Sequence, residues 1–190
     1  MITLIDRIDA AITTTGGIVD SIPVAALSAR TPCAGWDVRT ELNHLVGGMR
    51  IFAAELTGID AGGEHESDWL TTDHHVAYRT AAALDRAAWQ RPDALATNVR
   101  LGFGTVPGTT AALIHLTEVL VHGIDLAVAA GHEDLIDQRA AAELLEIMRG
   151  MDFDAFRQPG MFGPDVSVPA AAPAHRRLLA FTGRSALGAD

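Results

Sequence analysis

The chain has 190 residues, 48% of which are hydrophobic, and a formal net charge of −10. This length and composition suffice for one folded domain with a sizeable core and exclude a disordered chain. The 14 basic residues are all arginine and form no cluster, so nucleic acid and anionic membranes are not expected as partners. A single cysteine, Cys33, excludes an internal disulfide framework.

The chain begins with MITLIDRIDAA, which has acidic residues where a secretory signal has basic ones. We find no apolar run of the length needed to span a bilayer. These features predict a cytoplasmic protein, either a monomer or a homodimer. We expect a single domain over residues 1–190, in which 152–190 form a Pro- and Gly-rich extension.

Hydrophobic residues recur at helical spacing in several segments. The predicted helices are about 2–27, 37–57, 73–90, 111–130 and 137–151, with a short one at 174–182. We expect the first helix to bend near Gly16 and Gly17, and Asp37 to cap the second. We expect Gly58 and Gly131 to end the second and fourth helices.

The segments between these helices lack a helical pattern. Residues 31–35 and 61–70 are predicted loops, and 152–173 is predicted to be irregular. Residues 95–108, rich in Gly, Thr and Val, are predicted to be extended or to form a small β-hairpin. Four long amphipathic helices with these additions predict an all-α helical bundle.

The predicted helix 111–130 is hydrophobic almost all round, which is typical of a core helix. Four polar residues interrupt it and share a stripe roughly 80° wide at about 100° per residue: His115, Glu118, His122 and Asp125. Charged groups are rare in a core unless they are paired or bind a metal. The stripe therefore indicates either a hydrogen-bonded ion pair or a metal site.

Glu118 and His122 are four residues apart, so their side chains leave one helix face and can reach one ion. A catalytic zinc site has three protein ligands and one open position, and two His with one Glu is an established set. The best third ligand is His44 on the second helix, and His115 competes with it. The Gly47–Gly48 pair, lacking side chains, would leave room beside His44 for an ion or ligand.

Other polar residues have simpler interpretations. Asp125 is predicted to orient a ligand or cap a backbone group rather than to bind metal. Cys33 is predicted to be a buried, inert thiol, and Trp36 to anchor the start of the second helix by packing. Three histidines in or beside the polar loop are predicted to be solvated: His65, His74 and His75.

Two long strings, TPCAGWDVRTELNHLVGG (31–48) and LTEVLVHGIDLA (116–127), resemble a known family. It is the N-terminal domain of mycothiol-dependent maleylpyruvate isomerase, in the DinB-like metal-binding superfamily. LGFGTVPG (101–108) and the ending PGMFGPDVSVP…RLLAFTGR are similar to its stand-alone actinobacterial members. The resemblance covers nearly the whole chain and implies an up-down four-helix bundle with one divalent metal, most often zinc.

The resemblance also implies the roles of individual residues. His44, Glu118 and His122 match the family's metal ligands, and His115 is placed near the site. Mycothiol is the implied cosubstrate, whose thiolate would add to an electrophilic small molecule in a transferase or isomerase-like reaction. His115 and Asp125 are the predicted catalytic residues, which would orient ligands or shuttle a proton.

The family's isomerase has a second, C-terminal domain, for which we expect no room in this chain. A substrate other than maleylpyruvate is therefore predicted. Two alternatives stay open, a metal-dependent hydrolase that activates water and a non-catalytic bundle that binds a metal or ligand. A closed four-ligand site that includes His115 would favour the non-catalytic bundle.

Overall fold

The structure is a computed structural model that describes residues 2–158 and 161–185. Within these residues the helices are α1 (Leu4–Asp20), α2 (Val38–Thr57), α3 (His74–Trp89), α4 (Gly108–Ala130), α5 (Gln138–Arg149) and α6 (Ala174–Phe181). An antiparallel hairpin of β1 (Val99–Leu101) and β2 (Gly104–Val106) joins α3 to α4. The predicted all-α class and the small hairpin are confirmed.

Helices α1 to α4 form a four-helix bundle. Helix α1 packs against α3 and α4, and α2 packs against the same two helices. Consequently α1 lies diagonally opposite α2, and α3 lies diagonally opposite α4. The apolar faces of all four helices meet in one core. Helices α5 and α6 pack on each other, and α6 also contacts α4. The C-terminal part of the chain therefore lies against the helix that carries the polar stripe.

The ends of α2 and α4 follow from their terminal residues. Asp37 caps α2, because its side chain accepts a hydrogen bond from the backbone N–H of Thr40 at 2.8 Å. Gly58 and Gly131 end α2 and α4 in the left-handed conformation, with φ of 71° and 74°. Glycine adopts this conformation without the steric cost that other residues meet.

The first helix is shorter than predicted. It ends at Asp20 rather than near residue 27, and it continues through Gly16 and Gly17. Pro23 explains the early end, since a proline disfavours helical backbone in the residue before it. A separate 3-10 turn, Val24–Ala26, follows the proline. The apolar residues there match the spacing of the first helix but do not belong to it.

Helix α4 also corrects the expectation that no segment is apolar and long enough to cross a membrane. By length and mean hydropathy α4 meets that criterion, because Glu118 and Asp125 are its only charged residues. Most of its apolar length is buried inside the bundle. Core helices have this composition because they are covered by protein on nearly all sides.

Close packing of α1 on α4 predicts the effect of Gly123→Ala. A Cβ at Gly123 would overlap the side chain of Thr15, which is buried and donates to the carbonyl of Val119 at 3.3 Å. We expect the free energy of unfolding to fall by about 1–3 kcal/mol, as overpacking costs, measured by urea denaturation. Adding Thr15→Ala should recover part of this loss.

The matched control is Gly17→Ala on the exposed side of α1, where an added Cβ meets no atom within 4 Å. This substitution should raise stability by about 0.5–1 kcal/mol, because alanine has the better helix propensity. Equal effects of Gly17→Ala and Gly123→Ala would contradict the packing described.

Candidate metal centre

Three side chains converge where α2 packs on α4. The Oε2 atom of Glu118 lies 3.2 Å from Nε2 of His44 and 3.2 Å from Nε2 of His122. One ligand atom from each residue lies within 4.8 Å of the others. The structure therefore brings together the three residues that the sequence predicts as ligands. Glu118 and His44 are partly exposed, with 35% and 21% of their side chains accessible, so solvent reaches the cluster from their side.

Aromatic rings border this cluster. The ring of Trp36 lies 4.8 Å from that of His44 and 5.7 Å from that of His122, nearly parallel to the latter at 14°. The ring of His44 also contacts that of His65, with ring centroids 4.5 Å apart. Trp36, predicted only to anchor a helix start, thus also forms a wall of the site.

A loop fills the space expected beside the Gly47–Gly48 pair. A Cβ at Gly47 would lie 2.5 Å from the carbonyl oxygen of His65 and 2.8 Å from the indole nitrogen of Trp69. At Gly48, the nearest atom is Nε2 of His65 at 3.5 Å. The expectation of room for an ion or ligand is therefore wrong at Gly47, because the α2–α3 loop packs directly on the helix.

Two histidines predicted to be solvated make specific contacts instead. His65 donates from Nε2 to the carbonyl oxygen of His44 at 3.1 Å. His74 is 3% exposed and donates from Nε2 to the carbonyl oxygen of Ile22 at 3.0 Å. The sequence around them is polar, and that polarity gives no sign of partners supplied by other elements.

A buried carboxylate orients His122. The Nδ1 atom of His122 donates to Oε1 of Glu41 at 2.7 Å, and the Glu41 side chain is fully buried. Metal-binding histidines characteristically donate their second ring nitrogen to a carboxylate in this way. Sequence reasoning missed Glu41, although a carboxylate between Val38 and Leu42 on an apolar helix face was the available signal.

Asp125 extends the same network to the C-terminal segment. Its Oδ2 atom accepts from Nε of Arg184 at 2.5 Å, and both side chains are almost completely buried. One carboxylate oxygen each of Asp125 and Glu41 and a ring nitrogen of His122 lie within 4.8 Å of one another. Asp125 therefore lies between Arg184 and the cluster, with Oδ2 3.9 Å from Nδ1 of His122, and nothing in the sequence near Arg184 indicates its contact with Asp125.

The electrostatics of the cluster favour a cation. Desolvation would lower the pKa of His122, but hydrogen bonds from its ring nitrogens to the carboxylates of Glu118 and Glu41 outweigh it and raise the pKa to about 10. Desolvation would raise the pKa of Glu118, but the two histidines hold it well below its usual value. Burial and the charge of Glu41 raise the pKa of Asp125 well above its ordinary value. Imidazole nitrogens and a carboxylate oxygen in such a negative environment fit a divalent ion such as zinc.

Cys33 lies close to this network without the character of a nucleophile. Desolvation raises the pKa of its thiol to about 12, although the nearby charge of Arg184 opposes the shift. The thiolate is the reactive form of cysteine, so a thiol with this pKa is inert near neutral pH.

His115 belongs to a different contact. Its Nε2 atom lies 2.6 Å from Oδ2 of Asp85 on α3, and both side chains are at most 1% exposed. The rings of Phe52 and Trp89 pack on it at centroid distances of 4.5 Å and 5.5 Å. The structure thus pairs His115 across the bundle and does not bring it to Glu118 and His122.

The four-helix bundle, with a His–Glu–His donor set between α2 and α4, defines a protein of the DinB-like fold. The chain belongs to the mycothiol maleylpyruvate isomerase N-terminal domain family, whose sequence model matches residues 8–127. Two uncharacterized proteins, from two strains of Mycobacterium tuberculosis, are each 31% identical over 160 residues. Each of these matches covers 84% of this chain and 85% of the relative.

Solved structures share the fold. A histidine-to-alanine mutant of the mycothiol-dependent maleylpyruvate isomerase is similar with a TM-score of 0.53 and 19% identity. The enzyme without that mutation gives a TM-score of 0.50 and 15% identity. Both matches cover 74% of this chain and 67% of the solved chain. At these identities the likeness establishes the fold.

Burial of the His115–Asp85 pair predicts a stability effect. Asp85→Ala should lower the free energy of unfolding by about 1–3 kcal/mol, because it leaves a buried polar partner unsatisfied. His115→Ala should have a similar effect, and the two losses should not add in a double-mutant cycle read by urea denaturation.

The matched control for this cycle is the exposed pair Arg39–Asp68, with its 2.9 Å contact. Its coupling energy should fall within about 0.2–1 kcal/mol, as is usual at a surface. A coupling between His115 and Asp85 no larger than this would contradict a structural role for the buried pair.

Proposed function

We propose that this protein binds a divalent metal ion, with zinc as the first candidate, and uses it with mycothiol as cosubstrate to act on an electrophilic small molecule. The observation that carries the proposal is the convergence of both imidazole Nε2 atoms on Oε2 of Glu118, with Nδ1 of His122 already paired to Glu41. Membership of the mycothiol maleylpyruvate isomerase N-terminal domain family supports mycothiol as the thiol.

In this proposal His44, Glu118 and His122 hold the metal, and Glu41 fixes the ring of His122. Because Nδ1 of His122 donates to Glu41, its Nε2 is the nitrogen left to face the ion. The partly exposed edge at Glu118 and His44 is the side from which a thiol would approach. The ring of Trp36 packs against both imidazoles.

A divalent ion held there would lower the pKa of a coordinated thiol and favour the thiolate, which is the nucleophilic form. Addition of the thiol sulfur and its proton across an activated C=C bond gives a thioether, which is a transferase reaction. Rotation about the resulting single bond, followed by elimination of the same thiol, gives an isomerised alkene. The same site therefore supports either outcome, and the substrate decides between them.

Metal content is the first test of the site. Inductively coupled plasma mass spectrometry should find close to one zinc or similar ion per chain in the wild type, as a His₂Glu site requires. His122→Ala should lose it, whereas the control His75→Ala, a histidine on α3 beside Asp20, should retain it. A wild-type protein that stays free of metal after reconstitution would overturn the proposed site.

Thiol dependence is the test of the reaction. Activated alkenes, including maleylpyruvate, and epoxides would be incubated with protein, zinc and mycothiol. Consumption of thiol indicates transfer, and turnover without net consumption indicates isomerisation. Activity should disappear with a chelator and return with zinc. Zinc-dependent hydrolysis that ignores added thiol would instead favour a hydrolase.

A further inference from the structure

We propose that Arg184 is a positioning residue for the metal centre. It acts through Asp125, which lies beside the hydrogen bond from His122 to Glu41. The proposal rests on the metal site proposed above and assigns a role to the C-terminal segment, which lies outside the residues matched by the family.

The contacts form a continuous path through buried side chains. The guanidinium of Arg184 donates to Oδ2 of Asp125 at 2.5 Å. The same Oδ2 atom lies 3.9 Å from Nδ1 of His122, and this nitrogen donates to Oε1 of Glu41 at 2.7 Å. Of these four side chains, those of Arg184 and His122 are 8% exposed and the two carboxylates 0%.

Arg184 prevents a competition for His122. Oδ2 of Asp125 lies 3.9 Å from Nδ1 of His122, whereas Glu41 holds that nitrogen at 2.7 Å. A buried carboxylate without its cation seeks another donor, because its desolvation is costly. If Arg184 were removed, the nearest ring N–H for Asp125 would be the one that Glu41 now accepts. Turning the imidazole toward Asp125 would move Nε2 away from Glu118.

The backbone fixes the position of Arg184. Gly183 ends α6 with φ of 83°, and the N–H of Arg184 donates to the carbonyl oxygen of Leu179 at 2.9 Å. A Cβ at Gly183 would lie only 2.5 Å from Cα of Gly163, so two segments without regular secondary structure pack closely there. The guanidinium is thus presented by a defined helix end that packs on α4 through α6.

The test is zinc affinity of the full chain, measured by competition with a chromophoric chelator. Arg184→Gln should weaken zinc binding by about tenfold, at the lower end of the effect of outer-shell substitutions. Arg184→Lys keeps the charge and should recover part of the affinity. The control is Arg176→Gln on α6, which breaks a 2.6 Å contact with Glu133 in the 3-10 turn after α4 and should leave zinc affinity within about twofold.

A second readout separates positioning from general loosening of the fold. The visible spectrum of the cobalt(II) form reports ligand geometry, and it should change in Arg184→Gln but not in Arg176→Gln. In an Asp125→Asn background, Arg184→Gln should cause little further loss of zinc affinity, since both act on one path.

Two results would overturn the proposal, and they are distinguishable. Wild-type zinc affinity and an unchanged cobalt spectrum in folded Arg184→Gln and Arg184→Lys would reject the role of Arg184 alone. A wild-type protein that binds no metal would reject the metal site itself and, with it, this role.

Discussion

The hydrogen bond from His122 to Glu41 joins α4 directly to α2 across 81 residues of sequence, with 2.7 Å between its two atoms. Both side chains are buried, so each needs the other to offset its desolvation. That requirement fixes how closely the two helices approach and which way the imidazole faces. The convergence of His44 and Glu118 depends on this geometry, because their atoms meet only where α2 and α4 are in register.

The loops before and after α2 supply the aromatic rings that border the site. The loop before α2 places Trp36 against two imidazoles, and the loop after α2 places His65 against His44. The indole of Trp69 packs onto the bare backbone at Gly47 and donates to the carbonyl of His65 at 3.0 Å. The sequence suggested that Gly47 leaves space for a ligand. Instead, the α2–α3 loop packs on Gly47, and this contact positions His65 beside His44.

Helical periodicity was sufficient to predict four bundle helices and the shared face of Glu118 and His122, because spacing within one helix is a local property. The partners across elements were not predictable in that way. Glu41 and Asp85 take their roles from helix packing, and Arg184 from a chain segment almost sixty residues beyond Asp125. The length of the first helix was overpredicted for a related reason. The apolar pattern continues beyond Pro23, although the proline prevents the backbone before it from staying helical.

Two histidines on one face of α4 show how surroundings separate similar residues. His115 meets Asp85 in the closed interior, where Phe52 and Trp89 cover the pair and no side is accessible. His122, two turns further along, meets a carboxylate that is partly exposed. Solvent reaches Glu118 and does not reach Asp85. The difference is the second partner: His122 contacts the buried Glu41 through Nδ1 and the partly exposed Glu118 through Nε2, whereas the partner of His115 is buried.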